Sequence, residues 1–267
     1  MRTKKIAPYW SVFRLRAHLE TQYRAAALGG MVTQAFFGAV LVCLYMALFD
    51  GNDPAMLRET VTYVWLQQMF FRMMFNADNE LQNLILSGGV AYTMIRPVDQ
   101  HAYWLMRDVA ARLVGAMMRL LPMILLQFLL PASMRMGLPE SPVALMQFLL
   151  SLVLGAFILA EISAVRDAVV MQTLDTRGIS AMINLIMMIF SGNIIPLTLF
   201  PDSVQTFIRY QPFAQALDAP TRMYLHAQPL PDFLLNLSVQ LGWILLIALL
   251  GRLMWARQMD RMTVQGG

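Results

Sequence analysis

Three ionisable residues lie within apolar stretches of the sequence, where an unpaired charge is costly. They are Arg72, Arg119 and Glu161, each near one end of its stretch. Because a carboxylate in hydrocarbon needs a partner, we expect Glu161 to pair with Arg72 or Arg119. Two interpretations of the three residues stay open. The long arginine side chains extend to the interface and form simple ion pairs, or the three line a gate.

Motifs of catalytic and metal sites are absent from the sequence. There is no G-x-x-x-x-G-K-[ST] phosphate loop, no H-E-x-x-H and no G-x-S-x-G. The histidines His18, His101 and His226 are too scattered to form a ligand set by spacing, and His101 beside Tyr103 is predicted to lie in an interfacial loop. A single cysteine, Cys43, leaves no intrachain disulfide or Cys-based metal site. We therefore predict no catalytic residues, no metal site and no cofactor in this chain.

The amino-acid composition differs from that of soluble domains. Of 267 residues, 58% are hydrophobic and 13% are charged, against about 45–50% and about 25% in soluble domains. The net charge is +4, but the basic residues do not alternate with aromatic residues as in a nucleic-acid interface. These values exclude a soluble enzyme and a disordered chain, and argue against a nucleic-acid partner. They predict an all-α polytopic membrane protein.

Six apolar stretches are long enough to suggest transmembrane helices, since a bilayer core needs roughly 20 residues per helix. They cover about Ala25–Phe49, Val61–Phe75, Leu113–Pro131, Val143–Val165, Ile179–Phe200 and Phe233–Trp255. The second is short and the fifth is interrupted. No linker divides the chain, so residues 1–267 are predicted to form one transmembrane domain.

The distribution of Lys and Arg predicts the orientation of these spans. With six spans, both termini lie on the same side. That side receives Arg2, Lys4, Lys5, Arg14, Arg16, Arg24, Arg96, Arg107, Arg112, Arg166, Arg177, Arg252, Arg257 and Arg261, whereas the other receives only Arg58, Arg135, Arg209 and Arg222. We therefore expect both termini in the cytoplasm.

Two inner segments flank the first spans. In residues 1–24, Val12, Leu15 and Leu19 form an imperfect apolar stripe, which predicts a helix lying in the membrane interface or a basic topology anchor. In the inner loop, residues 76–112, Asp78 and Glu80 are placed to begin a short helix.

The short helix of the inner loop has clear end signals. The pair Gly88-Gly89 is predicted to end it, and Arg96-Pro97 marks a second break. A helix held parallel to the membrane would present a docking element for a soluble partner. An ordinary loop is the alternative.

The fifth span is broken before it leaves the membrane. Gly192, Asn193 and Pro196 interrupt it, and Pro201 precedes an amphipathic stretch from Asp202 to Tyr210. The stretch ends at Gln211, and Pro212-Phe213 follow. Because non-helical backbone at membrane depth needs partners inside the protein, the break should lie within the bundle. A re-entrant hairpin on the outer side and a proline-kinked helix exit both fit.

This arrangement resembles the six-span permease subunits of ABC-2-type exporters, and among them a bacterial subgroup of multidrug or antibiotic exporters. The residues that resemble the family are Gln22-Tyr23-Arg24, Ile85-Leu86-Ser87-Gly88-Gly89, Met94-Ile95-Arg96-Pro97, the run from Ser191 to Leu197, Phe200-Pro201, Gln211-Pro212-Phe213 and Ala219-Pro220. The sequence departs from the family's pattern at Gln211, where an apolar residue is expected, and at His226, where Gly is common.

The resemblance implies how such a chain works. It implies a pair with a second copy or a sister permease, and two copies of a separate ABC ATPase that binds ATP and Mg²⁺ and docks on the loop around Asp78–Pro97. It also implies a bacterial inner membrane, a pathway lined by spans one, two and five, and export of amphipathic molecules. Two other hypotheses stay open: a proton-coupled carrier, and a membrane enzyme acting on lipid.

Overall fold

The computed structural model describes residues 7–22, 24–49, 53–75 and 79–261, and its regular elements are all helical. The all-α prediction is confirmed for these residues. The helices are α1 Ala7–Gln22, α2 Arg24–Phe49, α3 Pro54–Met74, α4 Glu80–Leu86, α5 Val90–Met94, α6 Gln100–Gln127, α7 Pro142–Thr173, α8 Arg177–Phe190, α9 Asp202–Arg209, α10 Pro212–Leu225 and α11 Leu230–Arg261.

Among the described residues, four helices are long and apolar enough to cross a membrane. They comprise Ala27–Phe49 in α2, Gln100–Gln127, Pro142–Thr173 and Leu230–Gln258 in α11. Helix α8 has only 14 residues, and α3 contains polar residues such as Gln67 and Gln68. The first, third, fourth and sixth predicted spans therefore fall on helices with the length and composition of transmembrane helices. The helix of the third span begins at Gln100 rather than Leu113, so it includes the last part of the inner loop predicted over residues 76–112. Spans two and five, and with them the six-span count, stay predictions.

Several helices begin where the sequence provides a side-chain cap. The carboxylates of Asp53 and Asp99 accept hydrogen bonds from Met56 N at 2.9 Å and Ala102 N at 2.7 Å. The Ser141 hydroxyl accepts one from Ala144 N at 3.1 Å. Proline follows Asp53 and Ser141 at the first helical position, where its missing N–H has no cost. Each cap contributes about 1 kcal/mol and fixes where a long helix starts.

Helix α7 is the centre of the bundle and packs against α6, α10 and α11. At Gly155 it approaches α10 so closely that a methyl group would overlap the Ala216 carbonyl. Helix α3 is buried from Thr60 to Phe70, around Trp65. This burial explains how a span rich in polar residues is accommodated, since its amides face protein rather than lipid.

Large apolar side chains remain exposed on the outside of the bundle. They include Phe36 and Phe37 on α2, Leu185 on α8, and Leu245 and Leu249 on α11. So many exposed apolar side chains indicate a hydrocarbon environment rather than water. The molecule is therefore a multi-pass membrane protein.

Two names follow the predicted orientation. The end of the bundle that contains α4 and α5 is the inner end, and the segment from Gly192 to Leu225 is the outer hairpin. Helix α1 runs beside α6, since Asp99 N donates to Tyr9 Oη at 3.1 Å and Glu20 lies near Gly115. The predicted N-terminal helix is thus present, and its place in the membrane interface stays a prediction. Tyr23 and Asp78 lie outside the described residues.

Candidate functional site

Helix α4 is anchored to two other helices by polar and charged side chains. Glu80 forms an ion pair with Arg107 on α6. Gln82 donates a hydrogen bond to the Asp167 carboxylate on α7 at 3.0 Å, and Arg166 lies 2.8 Å from that carboxylate. The short helix predicted after Asp78 is therefore an anchored element with defined contacts.

Apolar packing also holds helix α4 in place. Leu81 and Ile85 on α4 are buried in a cluster with Trp104 on α6, Met171 on α7 and Trp255 on α11. Burying side chains of this size contributes roughly 1.5–3 kcal/mol each. Together with the charged contacts, this packing joins α4 rigidly to the inner ends of three long helices.

Three large apolar side chains on or directly after α4 and α5 are exposed. The chain turns between the two helices at Gly88, whose φ of 74° lies in the left-handed region that favours glycine. Leu86, Tyr92 and Ile95 are 51%, 78% and 79% exposed. We call these three residues the coupling patch. Exposed apolar side chains of this kind occur where a surface contacts another protein or a membrane.

The other residues proposed for the inner loop lie around this patch. Gly89 directly precedes α5, and Arg96 and Pro97 are exposed just after it. The Arg96 guanidinium donates a hydrogen bond to Tyr103 Oη at 2.8 Å. The structure thus brings Glu80, Gly88, Gly89, Arg96 and Pro97 together at one end of the bundle.

Arg112 connects three helices near the inner end. In the sequence it is only one of the basic residues predicted on the cytoplasmic side. It is 1% exposed and bonds to Asp108 on its own helix at 2.8 Å. It also donates to the Met73 carbonyl at the end of α3 and to Ser163 Oγ on α7 at 2.6 Å. The spacing of Asp108 and Arg112, four residues apart on one helix, was the available signal.

The expected pairing of Glu161 with Arg72 or Arg119 is wrong. Glu161 Oε2 lies 3.1 Å from His101 Nε2, and both side chains are buried. Arg72 lies 3.5 Å from Glu20 on α1, and Arg119 packs against Gly30 on α2. The pairing differs because Glu161 faces the first turn of α6, where His101 lies.

The expectation for His101 is also corrected. It lies in the first turn of α6 and is 5% exposed, rather than in an interfacial loop. Its ring is close to Gly251 and packs edge-on against Trp255 of α11. The sequence around His101 does not reveal that the side chain is buried, because the burial depends on how α11 crosses α6.

Helix α8 ends at Phe190, just before the outer hairpin. Gly192 follows with a φ of 81°, and a methyl group there would overlap the Tyr63 hydroxyl. Asn193 is buried beside it, and Pro196 starts a short turn that leads to Pro201 and α9. The predicted break in the helix is confirmed, whereas re-entry into the membrane stays a prediction.

The second part of the hairpin is helix α10, which begins at Pro212 and Phe213 and is largely buried. Tyr63 Oη on α3 donates to Asp218 Oδ1 at 2.8 Å, and Asp218 also pairs with Arg222 at 2.6 Å. Gln67 on α3 donates to Thr221 Oγ1 at 3.3 Å. The break is therefore supported by protein contacts, as its position among apolar residues requires.

A long helix connects the two regions. Ser151 on α7 accepts a hydrogen bond from Gln240 next to the hairpin, and Asp167 on the same helix contacts α4. Sixteen residues separate them, which is about 24 Å at 1.5 Å per residue. Displacement of the inner end can therefore reach the hairpin along one rigid element.

These features define a multi-pass helical membrane protein with a short helical platform at one end and a broken helix toward the other. The chain belongs to the ABC-2 family of transporters, since the family model described as "ABC-2 family transporter protein" matches residues 30–266. Members of this family are transport subunits of the membrane, not themselves catalytic, and generally work with an ABC ATPase. No curated protein matches the chain.

Proposed function

We propose that this chain is the membrane-spanning subunit of an ATP-driven exporter of amphipathic molecules such as drugs, antibiotics or lipids. A separate ABC ATPase, present in two copies, would bind ATP and Mg²⁺. The observation that supports this most directly is the coupling patch, an exposed apolar surface on an element anchored by Glu80 and Gln82. The absence of a phosphate loop from the sequence fits an ATPase on another chain.

The full architecture proposed here has six spans, with α3 as the second and α8 as the fifth. The two termini and the coupling patch would face the cytoplasm of a bacterial cell, as the distribution of Lys and Arg favours. A second copy or a sister permease would complete the pathway. The exposed apolar surfaces of α2 and α8 are available for it.

The docking proposal has a direct test. The protein is purified from native membranes in mild detergent, and stoichiometric partners are identified by mass spectrometry. Because a charge in an apolar interface is poorly tolerated, Tyr92→Asp with Ile95→Asp should abolish recovery of a soluble subunit with a phosphate loop. Leu138→Asp, at an exposed apolar residue away from the coupling patch, is the matched control. Equal recovery with both variants would contradict the assignment of the patch.

A proton-coupled carrier is the second candidate, and the buried His101–Glu161 pair is the observation that favours it. Such a carrier would move substrate in liposomes under a pH gradient with no ATPase present. Transport that requires both the ATPase and ATP, and is unaffected by the gradient, would exclude it.

A further inference from the structure

A charged cavity lies between α1, α2, α3 and α6, apart from the coupling patch and the outer hairpin. Its volume is 240 Å³, and its charged lining residues are Arg16, Glu20, Arg72 and Arg119. Three guanidinium groups against one carboxylate give these side chains a formal charge of 3 − 1, or +2. The cavity is therefore lined by guanidinium donors and lies beside helices with apolar outer surfaces.

The single carboxylate already has neighbours within the cavity. Glu20 Oε1 lies 2.5 Å from Arg16 Nη2 and 3.5 Å from Arg72 Nη2. All three side chains are mostly buried, at 12–21% exposure. Within the residues that the structure describes, Arg119 forms no hydrogen bond or ion pair. Because the medium around a partly buried group screens charge poorly, its guanidinium favours an anion in the cavity.

Two glycines provide the space that the arginines occupy. A methyl group at Gly30 on α2 would overlap the Arg119 guanidinium, and one at Gly115 on α6 would lie 3.2 Å from Arg72 Cγ. Arg119 follows Gly115 by one helical turn, so both face the same side of α6. The guanidinium groups are therefore held at the cavity by packing from neighbouring helices.

We propose that this cavity binds a phosphate group, presented by an anionic phospholipid of the adjacent leaflet or by a free phosphate ion. Guanidinium groups match phosphate oxygens with paired N–H donors, and they do so better than ammonium groups. An arginine near hydrocarbon is also stabilised when an anion accompanies it. The proposal concerns a binding site and does not depend on the proposed ATP-driven transport.

The test measures lipid binding by the purified full chain. Phosphatidylglycerol, with phosphatidylcholine as the zwitterionic comparison, is titrated into the detergent-solubilised protein and the bound lipid is quantified by native mass spectrometry. Arg119→Gln should weaken phosphatidylglycerol binding about tenfold, the effect of losing one charge-assisted hydrogen bond. Arg252→Gln removes an exposed charge on α11 and should leave binding unchanged.

Two further variants separate loss of the site from loss of the fold. Gly30→Val changes no charge but displaces the Arg119 guanidinium, so it should weaken binding as well. Arg119→Lys keeps the charge and should retain part of the affinity. Equal affinity of Arg119→Gln, Gly30→Val and Arg252→Gln, or equal binding of the two lipids, would overturn the proposal.

Inorganic phosphate distinguishes the two sources of the group. Displacement of phosphatidylglycerol by millimolar phosphate, absent with equimolar chloride, would identify a site for the free ion. Binding of phosphatidylglycerol that resists phosphate but still depends on Arg119 would identify a lipid site.

Discussion

The inner end and the outer hairpin both contain buried polar side chains, but they use them differently. At the inner end, charged groups join separate helices, as in Glu80 with Arg107 and Arg112 with the Met73 carbonyl. In the hairpin, the ion pair of Asp218 and Arg222 lies within one helix.

Contacts between helices in the hairpin rely on neutral donors instead. The Tyr63 hydroxyl and the amides of Gln67 and Gln240 make them. Hydrogen bonds to charged groups contribute about 1.5–3 kcal/mol, and neutral ones about 0.5–1.5 kcal/mol. Of these three hairpin contacts, only that of Tyr63 with the Asp218 carboxylate is of the first kind. We infer that the inner end moves as a rigid unit and that the hairpin is where helices separate.

The largest expected effect is at Arg112, which connects α3, α6 and α7. Arg112→Ala leaves Asp108 and the Met73 carbonyl without this donor, so it should lower the free energy of unfolding by about 3–5 kcal/mol. Thermal unfolding in detergent measures it. Arg257→Ala, at an exposed arginine of α11, should behave as the unchanged protein. If both variants unfold alike, the inner end is not the rigid unit described above.

The second prediction concerns Gly192 in the hairpin. Gly192→Ala combines a left-handed backbone with an overlap against the Tyr63 hydroxyl, and should destabilise by about 1–3 kcal/mol. Gly242→Ala, at a helical glycine where an added Cβ would have nothing within 4 Å, is the control. Tyr63→Phe removes the overlapping atom but also the hydrogen bond to Asp218. In the Tyr63→Phe background, Gly192→Ala should therefore destabilise less than it does in the unchanged protein. An equal loss in both backgrounds would mean that backbone strain alone accounts for the effect.

The third prediction tests whether the inner end couples ATP hydrolysis to transport, as proposed above. Glu80→Lys places a like charge against Arg107 and should reduce ATP-driven transport about tenfold, or about 1.4 kcal/mol of coupling, with ATP hydrolysis maintained. Transport and hydrolysis are measured together in proteoliposomes. Asp232→Lys, at an exposed carboxylate near the start of α11, is the control. If Glu80→Lys leaves the ratio of transport to ATP hydrolysis unchanged, α4 does not couple the two.

The smallest expected effect distinguishes the corrected partner of Glu161. In a double-mutant cycle, His101→Asn and Glu161→Gln should show a coupling energy of about 1 kcal/mol, as residues in contact do. Glu161→Gln and Arg119→Gln should add within about 0.5 kcal/mol. Coupling in the second cycle but not the first would restore the pairing expected from sequence.

Local features were largely predictable from the sequence. The break after Phe190 followed from Gly192 and Pro196, and the short helix before Gly88 followed from its acidic start and glycine end. The i, i+4 spacing of Asp218 and Arg222 also implies their contact without any knowledge of the fold. Such features depend on backbone geometry over one or two turns, which neighbouring residues decide.

Contacts between distant helices could not be predicted in this way. Glu161 meets His101 across 60 positions, and Gln82 meets Asp167 across 85. Each depends on the rotation of one helix against another, which a single sequence does not specify.

The sequence by itself determined that this is a helical membrane protein and where one of its helices breaks, because hydropathy and local backbone preference act over short stretches. Only the tertiary structure decided that α3 is buried despite its amides, that α4 is anchored to α6 and α7, and that Arg72 and Arg119 border one cavity while Glu161 does not. These outcomes follow from how helices pack, because packing sets which of several possible partners each buried charge reaches.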